Sequence, residues 1–290
     1  MTICYKLSNS LSPDRLEMLV RFRRIAEEQN VQFLLVGATV QQLILTCHYA
    51  IDERRKTYDL DFGVMLPDWG CYERLAHALE TSGGFQQNMD RPHEFHDGTG
   101  NRIDLVPFGA IGQGNAIAWP PERASIMNIV GYEDVFRAAV EIDFGQDIRI
   151  RSASLPGIVL LKLFAWNDRP YERTKDIQDI WLLLENYYQA GEVEMRLHTE
   201  HPDLLKLPTE KFCDLAGARI LGRDLAKLCS PSTHANLKVL LEREHEKGDQ
   251  SKILVEFEKE VASRSIINEP FEHVDACWKE FVKGYLETAP

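Results

Sequence analysis

The sequence predicts an α+β fold: a mixed sheet with flanking helices over residues 1–152, followed by a helical C-terminal domain over residues 153–290. Three observations carry this prediction. Residues 31–36 form a largely apolar strand-like run that stops at Gly37, after which Val40, Leu43 and Ile44 are spaced for a helix. Residues 55–64 and 101–107 read as two further strands, the first carrying two acidic residues among apolar ones and the second one. After Pro156 the period changes, with Val159, Leu160, Leu163 and Phe164 forming one helical stripe and Ile177, Ile180, Trp181 and Leu184 a second.

The first helix is announced by Ser12-Pro13-Asp14, a cap, a proline and an acid in helix-start order. Leu16, Leu19, Val20, Ile25 and Ala26 then recur at near-helical spacing until Asn30, giving a helix that backs the sheet. The strand over 31–36 ends in a glycine turn at Gly37-Ala38-Thr39. Asp68 caps a helix with Tyr72, Leu75, Ala76 and Leu79 on one face, closed by Gly83-Gly84. Residues 93–97 and 102–108 form a hairpin across the turn at 98–100, and residues 141–144 and 147–151 form another around Gly145-Gln146. Beyond residue 200 the chain is rich in helix formers, with turn signals at Pro208, Ser230-Pro231-Ser232 and Asn268-Glu269-Pro270. The small residues within 216–224 suit close helix packing.

The chemistry is concentrated in the strand over 55–64. At strand period 2, Asp59 and Asp61 share a face about 7 Å apart, while Leu60, Phe62 and Val64 turn to the core. Like charges held together cost free energy unless neutralised, and a divalent metal is the usual partner of an oxygen-only cluster. Asp104 supplies a third carboxylate from the strand over 101–107. Strand, glycine turn and helix at Gly37 form an arrangement that brings backbone N–H groups close to phosphate.

Composition sets the boundaries. The chain has 290 residues, long enough for two modest domains, and no apolar run approaches a transmembrane span. No secretory signal pattern opens it, so a cytoplasmic protein without membrane association is expected. Six scattered cysteines without a C-x-x-C pair point to reduced thiols rather than disulfides or zinc. The net charge of −12 leaves no global basic field for nucleic acid, so an RNA ligand requires a local patch. Arg54-Arg55-Lys56 and the group Arg169, Arg173 and Lys175 are the candidates.

The order Gly37-Ala38, Asp59-x-Asp61 and a lone strand aspartate at 104 resembles the nucleotidyltransferase fold of the DNA polymerase beta superfamily. The helix around Lys162 and the Asp176-x-x-Asp179 that follows it resemble the third and fourth motifs of that superfamily's abortive-infection toxin (AbiEii-like) branch. Together the four motifs span roughly residues 31–185, a far more specific pattern than any one of them. Two departures stand out: Ala38 replaces a second small residue, Gly or Ser, and the interval from Gly37 to Asp59 is long.

The resemblance implies transfer of a nucleoside monophosphate from a nucleoside triphosphate (NTP) to an acceptor hydroxyl, with pyrophosphate leaving. Asp59 and Asp61 would hold two Mg²⁺ ions, with Mn²⁺ as the alternative, and Asp104 would bind the ion on the acceptor side. Gly37, Ala38 and Thr39 would cradle the triphosphate. Lys162 would meet phosphate charge as a point cation, with Arg173 and Lys175 beside the nucleotide. Asp176 and Asp179 would belong to the active site, orienting Lys162 or the acceptor. The toxin branch implies an RNA acceptor, above all tRNA, and an antitoxin protein as partner. Two alternatives remain open: a small-molecule nucleotidyltransferase of the antibiotic-modifying kind, and a non-catalytic nucleotide-binding regulatory protein.

Overall fold

The two neighbours of the acidic strand decide where the site can be. The computed structural model describes residues 3–51, 57–120, 125–264 and 271–289, and the chain divides into two compact units, Met1–Ser154 and Leu155–Pro290.

In the first unit the strands are β1 (Cys4–Lys6), β2 (Gln32–Val36), β3 (Leu60–Met65), β4 (Phe85–Gln87), β5 (Glu94–Asp97) and β6 (Arg102–Phe108). They are followed by β7 (Ala116–Ala118), β8 (Ile126–Asn128), β9 (Val140–Asp143) and β10 (Arg149–Ser152). Among the described residues, eight of them form one mixed sheet in the order β1-β9-β10-β2-β3-β6-β5-β4, and β7 pairs with β8 as a separate hairpin. Strand β3 runs antiparallel to β2 and parallel to β6. Leu60, Phe62 and Val64 are fully buried, as their alternation predicts. The helix α1 (Pro13–Glu28) covers that face, with Phe22 stacked on Phe62 at 4.0 Å between ring centroids.

Several local readings hold. Helix α3 (Trp69–Gly83), the next long helix after the short α2 (Gly37–Gln42), is capped by Asp68, whose carboxylate accepts from Cys71 N at 2.8 Å. Gly84 closes α3 in the left-handed region at φ 68°. Hairpins β5–β6 and β9–β10 pair antiparallel where the turn signals place them, and the short α4 (Tyr132–Arg137) precedes the second.

The expected turn at Gly37 is the first residue of α2, with φ 77°, and α2 continues into a π-helical segment, Leu43–His48. Two readings are corrected. Among the described residues the acidic strand begins only at Leu60, because β2 ends at Val36 opposite Asp61 and Asp59 therefore has no ladder partner on that side. The buried face of α1 is rotated from the expected stripe to Arg15, Met18, Leu19, Phe22, Ile25 and Ala26, leaving Val20 exposed. Arg15 turns inward because its guanidinium donates to the Thr39 hydroxyl at 2.9 Å. Arg54-Arg55-Lys56 and Asn268-Glu269-Pro270 lie outside the described residues.

The second unit is helical: α5 (Leu155–Asp168), α6 (Thr174–Ala190), α7 (Val193–Leu197), α8 (Phe212–Leu228), α9 (Pro231–Glu246), α10 (Lys252–Arg264) and α11 (Phe271–Thr288). The small residues of α8 act as predicted. A Cβ on Gly222 would run into the Phe281 carbonyl oxygen, and one on Gly284 into that of Arg219, so α8 and α11 cross with their backbones in contact. None of the six cysteines is in a disulfide, and no helix among the described residues is long and apolar enough to cross a membrane.

Candidate active site

Asp61 on β3 is in register with Asp104 on β6, and Asp104 is in register with Glu94 on β5. Register partners share a sheet face, so three carboxylates from three adjacent strands form one row, with neighbouring strands about 4.8 Å apart. Beyond Asp61 the row ends at Val36, and the chain turns away at Gly37 with φ 77°. A Cβ there would overlap the Asp61 carboxylate, so conformation and space both require glycine at this position.

Arg102 sits two residues before Asp104 on β6, hence on the same face. Its Nη2 donates to the Asp59 carboxylate, its Nε stands 3.1 Å from Asp104 Oδ1, and its Nη1 stands 3.9 Å from Glu94 Oε1. One guanidinium faces three carboxylates. The approach to Asp104 is an ion pair without hydrogen-bond alignment, because Asp104 Oδ1 and Arg102 Nε are both buried and both lack a hydrogen-bond partner.

The electrostatics of the row are uneven. Burial, then the Asp61 charge, push the Asp104 carboxyl up to about 7; Arg102 opposes this, and Glu94 and Asp59 add to it. Glu94 is as deeply placed, yet its value lies below the ordinary one. Burial works against its ionisation, but the hydrogen bond from Arg91 at 2.8 Å and the charges of Arg102, Arg91 and His93 outweigh that penalty. Glu94 has its cations, whereas Asp104 is short of positive charge.

Among the described residues, no group of three or more His, Cys, Asp and Glu side chains is arranged to hold a metal ion. Asp61 and Asp104 stand side by side in register, and Asp59 is paired with Arg102, whose Nε also approaches Asp104. The donor set nevertheless fits a hard divalent cation. It is all oxygen, it holds more negative charge than Arg102 offsets, and one of its buried oxygens has no hydrogen bond.

The nucleotide-side candidates separate. Ala38 is half-buried in the first turn of α2. Thr39 is fully buried, and its hydroxyl donates to the Asp59 carbonyl oxygen at 2.5 Å while accepting from Arg15. That proton is committed to the backbone, so Thr39 is corrected from a phosphate donor to a brace that fixes Asp59.

In the second unit Lys162 is buried, and its ammonium donates to Asp179 Oδ2 at 2.6 Å and Asp176 Oδ1 at 3.2 Å. Burial opposes its charge, but Asp179 and Asp176 outweigh burial and hold the lysine above its ordinary value. Arg173 Nη1 lies 3.6 Å from Asp176 Oδ2, Arg169 pairs with Glu172 at 3.5 Å, and Lys175 is exposed.

The family model described as "Nucleotidyl transferase AbiEii toxin, Type IV TA system" matches residues 20–247, which include every motif above. The chain belongs to the AbiEii family. It is a nucleotidyltransferase, with the mixed sheet and C-terminal helices described above. No curated protein matches this AbiEii-family chain. Among solved structures it is similar to the antibiotic-resistance factor ANT(2'')-Ia, at 13% identity and a TM-score of 0.38, covering 81% of this chain and 100% of that one. It is also similar to the Thermotoga maritima CCA-adding enzyme complexed with tRNA, at 16% identity and a TM-score of 0.33, covering 96% and 80%. At those scores the likenesses assign neither substrate nor mechanism.

Sequence reasoning missed Glu94 and Arg102. A signal for both was present: pairing 93–97 with 102–108 across the turn puts Glu94 beside Asp104, and strand period puts Arg102 on the face of Asp104.

Proposed function

We propose that this chain is a metal-dependent nucleotidyltransferase that moves a nucleoside monophosphate from an NTP to a hydroxyl of RNA, above all tRNA, in the cytoplasm. The observation that carries the reading is the row formed by Asp61 and Asp104, flush against the Gly37 backbone and short of positive charge at Asp104. Asp61 and Asp104 would hold divalent ions, Mg²⁺ or Mn²⁺, with Asp59 joining them when it leaves Arg102. Such ions supply charge stabilisation for the attacking and leaving oxygens of an in-line phosphoryl displacement. The chain's own groups do the rest. Gly37 and Ala38 bring backbone close to the triphosphate, Thr39 and Arg15 fix Asp59, and Asp104 on the acceptor side favours loss of the acceptor proton.

Lys162, Asp176 and Asp179 occupy the positions of the family's third and fourth motifs, and the proposal gives them a part in the reaction. The two carboxylates hold the ammonium at a set position, which supports an orienting role for them, and Arg173 and Lys175 offer positive charge toward phosphate. Membership of a toxin family supports a growth-inhibiting role and an antitoxin partner. Incubation with Mg²⁺, each α-labelled NTP and total RNA tests the reading. Label on RNA that depends on Mg²⁺ supports it; label only on a small acceptor, or saturable binding without transfer, overturns it.

A further inference from the structure

We propose that Arg102 is a built-in surrogate cation, which holds Asp59 and Asp104 together in the metal-free protein and moves onto Glu94 when a divalent ion enters. The inference rests on the metal-dependent reading above and adds two positioning residues to it.

The geometry carries four points. Arg102 engages Asp59 and Asp104, two of the three aspartates assigned to the ions, so its charge occupies the place where an ion's charge is needed. Its hold on Asp104 is poor, since neither Nε nor Oδ1 is satisfied by the 3.1 Å approach. A hydrated divalent ion can offer Asp104 a better partner than a misaligned guanidinium does. Glu94 supplies the destination: it is buried in the same row, and its Oε1 already lies 3.9 Å from Arg102 Nη1, so a change of side-chain torsion is enough to close the pair. Finally, Glu94 is pre-anchored by Arg91 at 2.8 Å and Asn88 at 3.1 Å, which fixes its carboxylate as a receiver. The arrangement lets the protein fold without metal and sets a threshold for metal entry, because each ion must displace a tethered charge.

The test is Mn²⁺ binding to the full chain without nucleotide, read by electron paramagnetic resonance, with melting curves in chelator alongside. Arg102→Met keeps the stem and removes the competing charge. It should tighten Mn²⁺ binding about tenfold, the scale of one partly buried ion pair, while lowering the melting temperature of the metal-free protein. Arg102→Gln, a second variant should the first fail to fold, is read the same way. Glu94→Gln should weaken Mn²⁺ binding in the wild-type background and have little effect when Arg102 is already Met. Unchanged or weaker binding in Arg102→Met overturns the proposal, as does an undiminished Glu94→Gln effect in that background, which would make Glu94 a ligand. Wild-type protein that binds no Mn²⁺ at all overturns the metal-dependent reading together with this one. Wild-type binding that Arg102→Met leaves unchanged overturns this inference alone.

Discussion

The carboxylate row of the sheet and the Lys162 cluster of the helical unit are built from similar parts, carboxylates around a cation, yet they differ in how well the charges are matched. In the helical unit Asp176 and Asp179 stand three residues apart on α6 and close on one ammonium from two directions, with the lysine stabilised in its charged form. In the sheet, Asp61 and Asp104 are fixed side by side by strand register, and the available guanidinium is shared among Asp59, Asp104 and Glu94. The first cluster already has its cation. In the second, Asp104 is short of positive charge, which supports the proposed metal binding.

If this contrast is right, removing the cation from the matched cluster should be the most damaging change. Lys162→Met keeps the apolar stem but leaves two poorly solvated carboxylates facing each other. It should cost about 3–5 kcal/mol of stability, the usual consequence of breaking a buried pair. Chemical denaturation measures it, and a loss under 1 kcal/mol would show that the triad is effectively solvated.

Gly37→Ala probes the unmatched site from its rim. The added methyl meets the Asp61 carboxylate and the residue is held at positive φ, so a loss of about 2 kcal/mol is expected, with Mn²⁺ binding weakened as Asp61 is displaced. Unchanged stability and metal binding would show that β3 and α2 have slack the packing does not suggest.

The smallest stability effect has the opposite sign. The Asp104 carboxyl is raised to about 7 in the fold, above its unfolded value. Its favourable contribution is therefore fully present below the unfolded aspartate pKa and is lost as pH rises through about 7. Asp61→Asn removes one cause of that rise. Metal-free protein carrying it should gain on the order of 1 kcal/mol at pH 8 and almost nothing at pH 5, where Asp104 is protonated in both proteins. A destabilisation at pH 8 would mean that Asp61 is well compensated and the row is not short of positive charge.

The matched and unmatched clusters also differ in how far they could be read from sequence. Leu60, Phe62 and Val64 announced β3 because apolar alternation is a local property, and Asp68 and Gly84 announced the ends of α3 because capping is local too. The extent of β3 was overestimated because a strand lasts only as long as its neighbours, and β2 leaves the ladder at Gly37. Glu94 and Arg102 were overlooked because their importance comes from pairing between strands, which letters show only after a register is fixed. The burial of Lys162 was hidden for a related reason: a charged residue beside an apolar stripe usually reaches water, and only the packing of α5 against α6 shows that its partners lie inside.

Asp61→Asn also offers the most direct test of the central claim, that the row formed by Asp61 and Asp104 is a cation-dependent catalytic site. The measurement is transfer of α-labelled nucleotide to RNA by wild type and variant in Mg²⁺, with melting curves to establish that both are folded. The amide is nearly isosteric but lacks the charge that holds the ion, so transfer should fall to background while the fold persists. Wild-type rates from a folded Asp61→Asn protein would contradict the account.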